Sequence, residues 1–197
     1  MDKTDYGTLI LFLFLFLFMT FFSQSPYVNL ARFLVICLCL IPAMRHGVLT
    51  AAFFTVISDG VLLFTPYYKI GIYFFCLVHL CYISFFLDKK PPLLLFFFSL
   101  ALLAFPLPIL GACYAILFLI HILLAYSLCT QKKAKPFCQL YLLGLFLFLC
   151  CDILVAVGYF TAPQPVLIWI FYAPSQLLLA FRARGLQPQP KSFVPDL

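Results

Sequence analysis

Charge is scarce in this chain. Only 9% of its 197 residues are Asp, Glu, Lys or Arg, against roughly 25% in soluble domains. Hydrophobic residues make up 66%, and the mean hydropathy is +1.16. So little charge does not cover a water-facing surface, which excludes a soluble globular protein and leaves a polytopic membrane protein. No stretch between the apolar runs is long enough for a soluble domain, so residues 1–184 read as one transmembrane domain. The nine cysteines contain no Cys-x-x-Cys pair, which argues against zinc. Most lie inside apolar runs, where cysteine behaves as a small hydrophobe. The first apolar run lacks a small-residue cleavage site, since Ser23-Gln24-Ser25-Pro26 is a poor match, and it is expected to be a retained helix. The Leu-Phe alternation from Leu11 to Phe18 offers no polar face, so it does not define a strand.

The expected fold is all-α, with eight spans near residues 7–23, 29–44, 47–65, 67–87, 91–105, 107–128, 137–160 and 164–181. About 20 residues cross a hydrocarbon core of ~30 Å. With eight spans, one side of the membrane collects Lys3, Arg45, Lys89, Lys90, Lys132, Lys133, Lys135, Arg182, Arg184 and Lys191. The other side holds only Arg32 and Lys69. That bias places both termini in the cytoplasm, and it accounts for the net charge of +6 as a topology signal rather than a nucleic-acid surface. The proline-rich residues 185–197 are expected to be a disordered cytoplasmic tail. Short loops favour a bacterial cytoplasmic membrane over the endoplasmic reticulum.

Against this background two acids stand out. Asp59 in the third span and Asp152 in the seventh each cost about 2.5–3.5 kcal/mol at a helix centre, and such residues are commonly functional. Each follows a small residue and precedes an apolar stretch that ends in an aromatic turn, Phe64–Tyr68 and Tyr159–Pro163. His79 lies twenty residues after Asp59 and Tyr172 twenty residues after Asp152. An offset of four spans gives both aspartate helices one direction, a layout of two parallel four-helix repeats. Counted from the outer helix ends, Asp59, Tyr172 and Asp152 fall at about 9, 11 and 12 Å, and Gln176 and His79 at about 17 and 18 Å. His79 with Tyr82, and Tyr172 with Gln176, each share a helix face. These groups are expected to share one cavity in the outer half of the membrane. The structural alternative stays open for each: an Asp or His holding a neighbouring helix, or a tyrosine packing. His121 shows no polar companion on its own face and reads as structural. Arg32 reads either as snorkelling or as reaching an anionic lipid head group.

The same residues resemble the YhhN family of lysoplasmalogenase-like membrane proteins. Ser58-Asp59-Gly60-Val61-Leu62-Leu63 is similar to that family's Gly-Asp-x-x-Leu-Leu element. Gly71, Phe75, His79 and Tyr82 resemble its Gly-x-x-x-Phe-x-x-x-His-x-x-Tyr helix. Cys151-Asp152, with Tyr172 and Gln176, resembles its C-terminal Ser-Asp and Tyr-x-x-x-Gln elements. The likeness covers residues 48–181. It departs at Ser58 and Cys151, which keep a small residue, at the missing Lys-Pro near the second span, where Arg32 is the nearby cation, and at Pro174 between Tyr172 and Gln176.

The resemblance implies hydrolysis of the vinyl ether bond of a lysoplasmalogen, with a lysophospholipid substrate in the bilayer and no cofactor or metal. Such cleavage calls for one carboxylic acid and one carboxylate, and two aspartates close enough to interact divide those forms between them. Asp59 and Asp152 are then the catalytic pair, with neither assigned as the acid. His79, Tyr82, Tyr172 and Gln176 bind substrate or position water, and Arg32 is the candidate head-group contact. The second reading is a proton-coupled transporter or lipid-binding protein, since carriers commonly have glycine- or proline-broken helices at the site, and Gly60 and Pro174 hint at these.

Overall fold

The computed structural model describes residues 3–88, 100–131 and 136–183. Its helices are α1 (Lys3–Phe21), α2 (Val28–Leu38), α3 (Leu40–Arg45), α4 (Leu49–Phe64), α5 (Tyr68–Phe86), α6 (Leu107–Gln131), α7 (Pro136–Phe160) and α8 (Pro165–Arg182), with a short 3-10 turn at Leu102–Ala104. There is no strand among the described residues. Leu11 to Phe18 lie within α1, as the absence of a polar face required. Five stretches are long and apolar enough to cross a membrane: Val28–Arg45, which joins α2 and α3, and Tyr68–Phe86, Leu107–Thr130, Cys138–Phe160 and Pro165–Arg182. Asp5–Phe21 and Leu49–Phe64 are apolar but shorter. Most of the expected fifth span, and the whole of the expected tail at 185–197, lie outside the described residues. So do Lys89, Lys90, Lys132, Lys133, Lys135, Arg184 and Lys191.

The helices carry apolar side chains all round because both environments they meet, lipid and bundle interior, are apolar. Ile116, Leu119 and Leu123 of α6 and Leu143, Phe146 and Ile153 of α7 face outward. Thr55, Ser58, Asp59, His79, His121, Ser175 and Gln176 face in. The tight link from α3 to α4 has a local cause. Gly47 takes φ +79° just past the end of α3, and the Val48 N–H donates to the Ala43 carbonyl at 3.0 Å. This is the glycine-terminated helix end in which two orphaned carbonyls find donors.

Neighbours pack in a closed ring. α2 packs on α4, α4 on α5, α5 on α6, α6 on α7, α7 on α8, and α8 returns to α2. α1 lies against α2 and α8, and α3 against α4 and α8. Side-chain contacts set the directions. Phe75 meets Tyr114 while Phe86 meets His121, so α5 and α6 run parallel. Phe75 meets Phe148 while Phe86 meets Tyr141, so α7 runs against both. The end of α5 and the start of α6 therefore sit at opposite ends of the bundle. Moving from α2, α4 and α5 to α6, α7 and α8 preserves both direction and adjacency.

One end of the bundle gathers Asp5, whose carboxylate meets the Arg45 guanidinium at 2.8 Å, and His46, whose ring lies 6.0 Å from that of Phe181. The start of α1, the end of α3 and the end of α8 are thus together. Lys69 opens α5 at the other end, and Arg32 lies toward that end, beside Trp169 of α8.

Candidate active site

Asp59 projects from α4 into the ring and is 4% exposed. The Tyr172 hydroxyl of α8 donates to its Oδ2 at 2.6 Å. Tyr172 is held in turn by aromatic edges: Trp169 at 5.2 Å, Phe148 at 5.5 Å and Phe75 at 6.3 Å between ring centroids. The residue before Asp59 explains how α4 approaches α5 so closely. Ser58 is fully buried, and its hydroxyl donates to the Gly71 carbonyl at 2.7 Å. A methyl group at Gly71 would meet the Leu62 side chain at 2.5 Å. Glycine at 71 and a small residue at 58 therefore set the spacing that aims Asp59 inward.

Asp152 has a different setting. It is half-buried on α7, and the Tyr114 hydroxyl of α6 donates to its Oδ2 at 2.5 Å. No hydrogen bond joins the two carboxyl groups to each other. Each has its own tyrosine, and Phe75 lies between the tyrosines, 6.3 Å from Tyr172 and 6.1 Å from Tyr114.

One helical turn inward from Asp59 lies a small cavity lined by Ile36, Cys39, Ala52, Thr55, Tyr82, Gln176 and Ala180. Thr55 and Ala52 share the Asp59 face of α4, and Gln176 and Ala180 share the Tyr172 face of α8. The cavity, about 10 Å³, has room for about one water, and Thr55, Tyr82 and Gln176 give it polar walls. Pro174 removes the donor for the Ile170 carbonyl, yet α8 continues through it to Arg182. Ser175 adds a bond in that turn, its hydroxyl donating to the Tyr172 carbonyl at 2.6 Å.

Arg32 is 7% exposed. Its Nη1 donates to Asn29 Oδ1 at 3.0 Å, and its guanidinium carbon lies 5.5 Å from the Trp169 ring centre. Its Nε is buried without a hydrogen-bond partner among the described residues.

The structure thus pairs Asp59 with Tyr172, gathers Tyr82 and Gln176 on one cavity, and links Arg32 to Tyr172 through Trp169. His79 is placed elsewhere. It is fully buried beside Tyr114 and Phe118, with its Nδ1 3.1 Å from Nδ1 of His121. His121 has polar companions after all, on other helices, because Tyr141 of α7 reaches its Nε2 at 2.8 Å. Tyr114, His121, Tyr141, Thr55 and Trp169 did not emerge as site residues from the sequence. A signal existed for α6: Tyr114 and His121 are seven residues apart and so lie on one face. No group of three His, Cys, Asp or Glu among the described residues is placed to hold a metal ion.

This architecture, a ring of apolar helices closed around tyrosine-held aspartates on the fourth and seventh helices, accompanies a match of the YhhN family pattern over residues 9–183. The chain belongs to the YhhN family. No curated protein and no solved structure matches it. Within this YhhN protein the match reaches α1 and α2, beyond the 48–181 segment whose motifs carry the likeness. It therefore includes Arg32 and the helix that closes the ring.

Proposed function

We propose that this YhhN protein is a membrane-embedded hydrolase that cleaves the vinyl ether bond of lysoplasmalogens, releasing a fatty aldehyde and a glycerophospho-base. The observation that carries the reading is Asp59, buried in the ring on the Tyr172 hydroxyl one helical turn from a water-sized polar cavity. Hydrolysis begins with proton transfer to the outer vinyl carbon, which leaves an oxocarbenium ion. Water adds to the carbon next to oxygen and returns a proton, and the hemiacetal falls apart to aldehyde and alcohol. One water is consumed overall.

Asp59 shares its helix face with the cavity, so in this reading it steadies the cation and orients water held by Tyr82, Gln176 and Thr55. Asp152 on Tyr114 supplies the proton. The carboxyl groups work through substrate and water rather than as a pair sharing one proton, since each is bonded to its own tyrosine. Arg32, held by Asn29 and Trp169, takes the phosphate of the head group, and His79 acts from the Asp152 side.

The topology that fits is eight crossings in two parallel repeats, with both termini in the cytoplasm of a bacterial cell. The parallel run of α5 and α6 supports a crossing between them, and the preserved directions and adjacencies support the repeat. The alternative of a proton-coupled carrier draws on Gly60 and Pro174, but α4 and α8 both run unbroken through them. The deciding experiment incubates purified protein with a lysoplasmalogen and, separately, with an ordinary lysophospholipid. Aldehyde from the first and no hydrolysis of the second is expected. Vesicle uptake of intact lipid without aldehyde would favour the carrier.

A further inference from the structure

Three groups in the inner half of the bundle lie beyond the carboxylates and their tyrosines. His79 of α5, His121 of α6 and Tyr141 of α7 are all fully buried, and they form one hydrogen-bonded row. Nδ1 of His79 and Nδ1 of His121 are 3.1 Å apart, and His121 Nε2 and the Tyr141 hydroxyl are 2.8 Å apart. The row is packed rigidly. Tyr82 stacks on His121 at 4.9 Å and 15°, and Phe118 stacks on His79 at 4.7 Å and 17°. The last atom of the row, His79 Nε2, is buried with no partner among the described residues.

Proton counting orders the row. A buried phenol proton needs an acceptor, and His121 Nε2 is the one hydrogen-bond partner Tyr141 has among the described residues. The phenol therefore donates, and His121 Nε2 accepts. A neutral imidazole carries one N–H, so the proton of His121 sits on Nδ1 and donates to Nδ1 of His79. That leaves the single proton of His79 on Nε2, the atom with no acceptor among the described residues. The opposite order would leave the Tyr141 proton buried and unbonded.

We infer that His121 and Tyr141 are positioning residues. They lock His79 in the tautomer that offers Nε2–H as a hydrogen-bond donor to an oxygen of a bound molecule. His79 packs beside Tyr114, the residue that holds Asp152, so one tyrosine side chain connects the donor to the second carboxylate. Resting on the hydrolase reading, the oxygen it serves is the ether oxygen of the hemiacetal. The bond strengthens as the carbon–oxygen bond breaks and its electron pair passes to that oxygen. The proton the alcohol takes up is the one lost by the hemiacetal hydroxyl, relayed by a carboxyl group. No proton need leave the row. A buried donor that meets its acceptor only when a ligand arrives is the kind of unsatisfied group that marks a binding position.

The test uses full-length protein labelled with 15N-histidine in lipid nanodiscs. The chain has three histidines, so single His→Gln variants assign the spectrum. The expected result is Nδ1–H on His121 and Nε2–H on His79. Tyr141→Phe keeps the ring packing and removes the phenol. It should abolish the Nδ1–H preference of His121 and lower kcat for aldehyde release about tenfold, with KM within about twofold, the size of one lost hydrogen bond. His121→Asn keeps an N–H near the Nδ1 position and should return kcat to within about threefold of the parent, whereas His121→Leu should not. Nε2–H on His121 in the parent protein, or unchanged tautomers in Tyr141→Phe, overturns the inference. The expected tautomers in a protein that releases no aldehyde would support the row and count against the hydrolase reading instead.

Discussion

Asp59→Asn is the sharpest change a single residue offers. Asparagine keeps the shape, and its carbonyl still accepts the Tyr172 proton at the place where Asp59 Oδ2 stands 2.6 Å away. The protein should therefore fold, with an unchanged melting temperature in detergent, while aldehyde release falls by about 10²–10⁴-fold, the usual weight of general acid–base help. Asp152→Asn should behave alike, with Tyr114 retaining its acceptor. Full activity in either variant would remove the two-carboxylate scheme. Tyr172→Phe isolates the hydrogen bond itself. Losing a bond to a carboxyl group is worth about 1.5–3 kcal/mol, so the rate should drop about 10–100-fold while the aromatic packing around position 172 stays. At this scale the sequence was informative about the acids. Any carboxyl in an apolar run is conspicuous, because it is expensive there. Their hydroxyl partners were only half legible. Tyr172 shares a motif with Gln176, but Tyr114 is one of 11 tyrosines in the chain, and a tyrosine in lipid-facing sequence carries no such cost.

Among the elements, α7 and α8 approach closely at Gly144. A methyl group there would stand 3.0 Å from Leu178 Cβ and 3.3 Å from the Ser175 carbonyl, atoms with no freedom to swing aside. Gly144→Val should destabilise by about 1–3 kcal/mol through overpacking, read as a lower melting temperature. Because Ser175 and Tyr172 move with α8, activity should fall as well. Gly111→Ala is the contrasting change. Nothing lies within 4 Å of its added methyl, and alanine is the better helix former by about 0.8–1.0 kcal/mol, so stability should hold or rise. The helices themselves were readable from apolar runs and their punctuation, and α4, α5, α7 and α8 match the expected spans within a few residues. The division of the second span at Cys39 into α2 and α3 was not foreseen, although Pro42 in the first turn of α3 marks it by leaving the Leu38 carbonyl without its helical donor. Glycines 71 and 144 were visible as residues. Their reason for being glycine belongs to the neighbour opposite, which periodicity does not identify.

For the whole molecule, the shared end of Asp5, Arg45 and Phe181 makes a prediction about sidedness. Reporter tags on the two termini should be reached from the same face of the membrane, together with residues beside Lys89, and Lys69 should be reached from the other. Tags on opposite faces would remove the crossing between α5 and α6 and with it the eight-crossing topology. The closed ring also accounts for the interior position of Asp59, His79, His121 and Gln176. Six neighbouring segments leave a core wide enough for aromatic rings and a few hydrogen bonds.

Composition alone determined that this protein lives in a membrane as a bundle of helices. A chain with 9% charged residues has no other way to hide its surface, and in lipid the backbone must bond within each helix. Motif order determined the family and named Asp59, Asp152, His79, Tyr82, Tyr172 and Gln176. Tertiary structure decided which of them meet. It gave the aspartates separate tyrosines from α8 and α6, sent Tyr82 and Gln176 to one cavity, and turned His79 toward His121 and Tyr141. The reason is physical. The burial cost of a polar group is written in its own sequence neighbourhood, but the partner that offsets the cost comes from another helix, and only packing chooses which one.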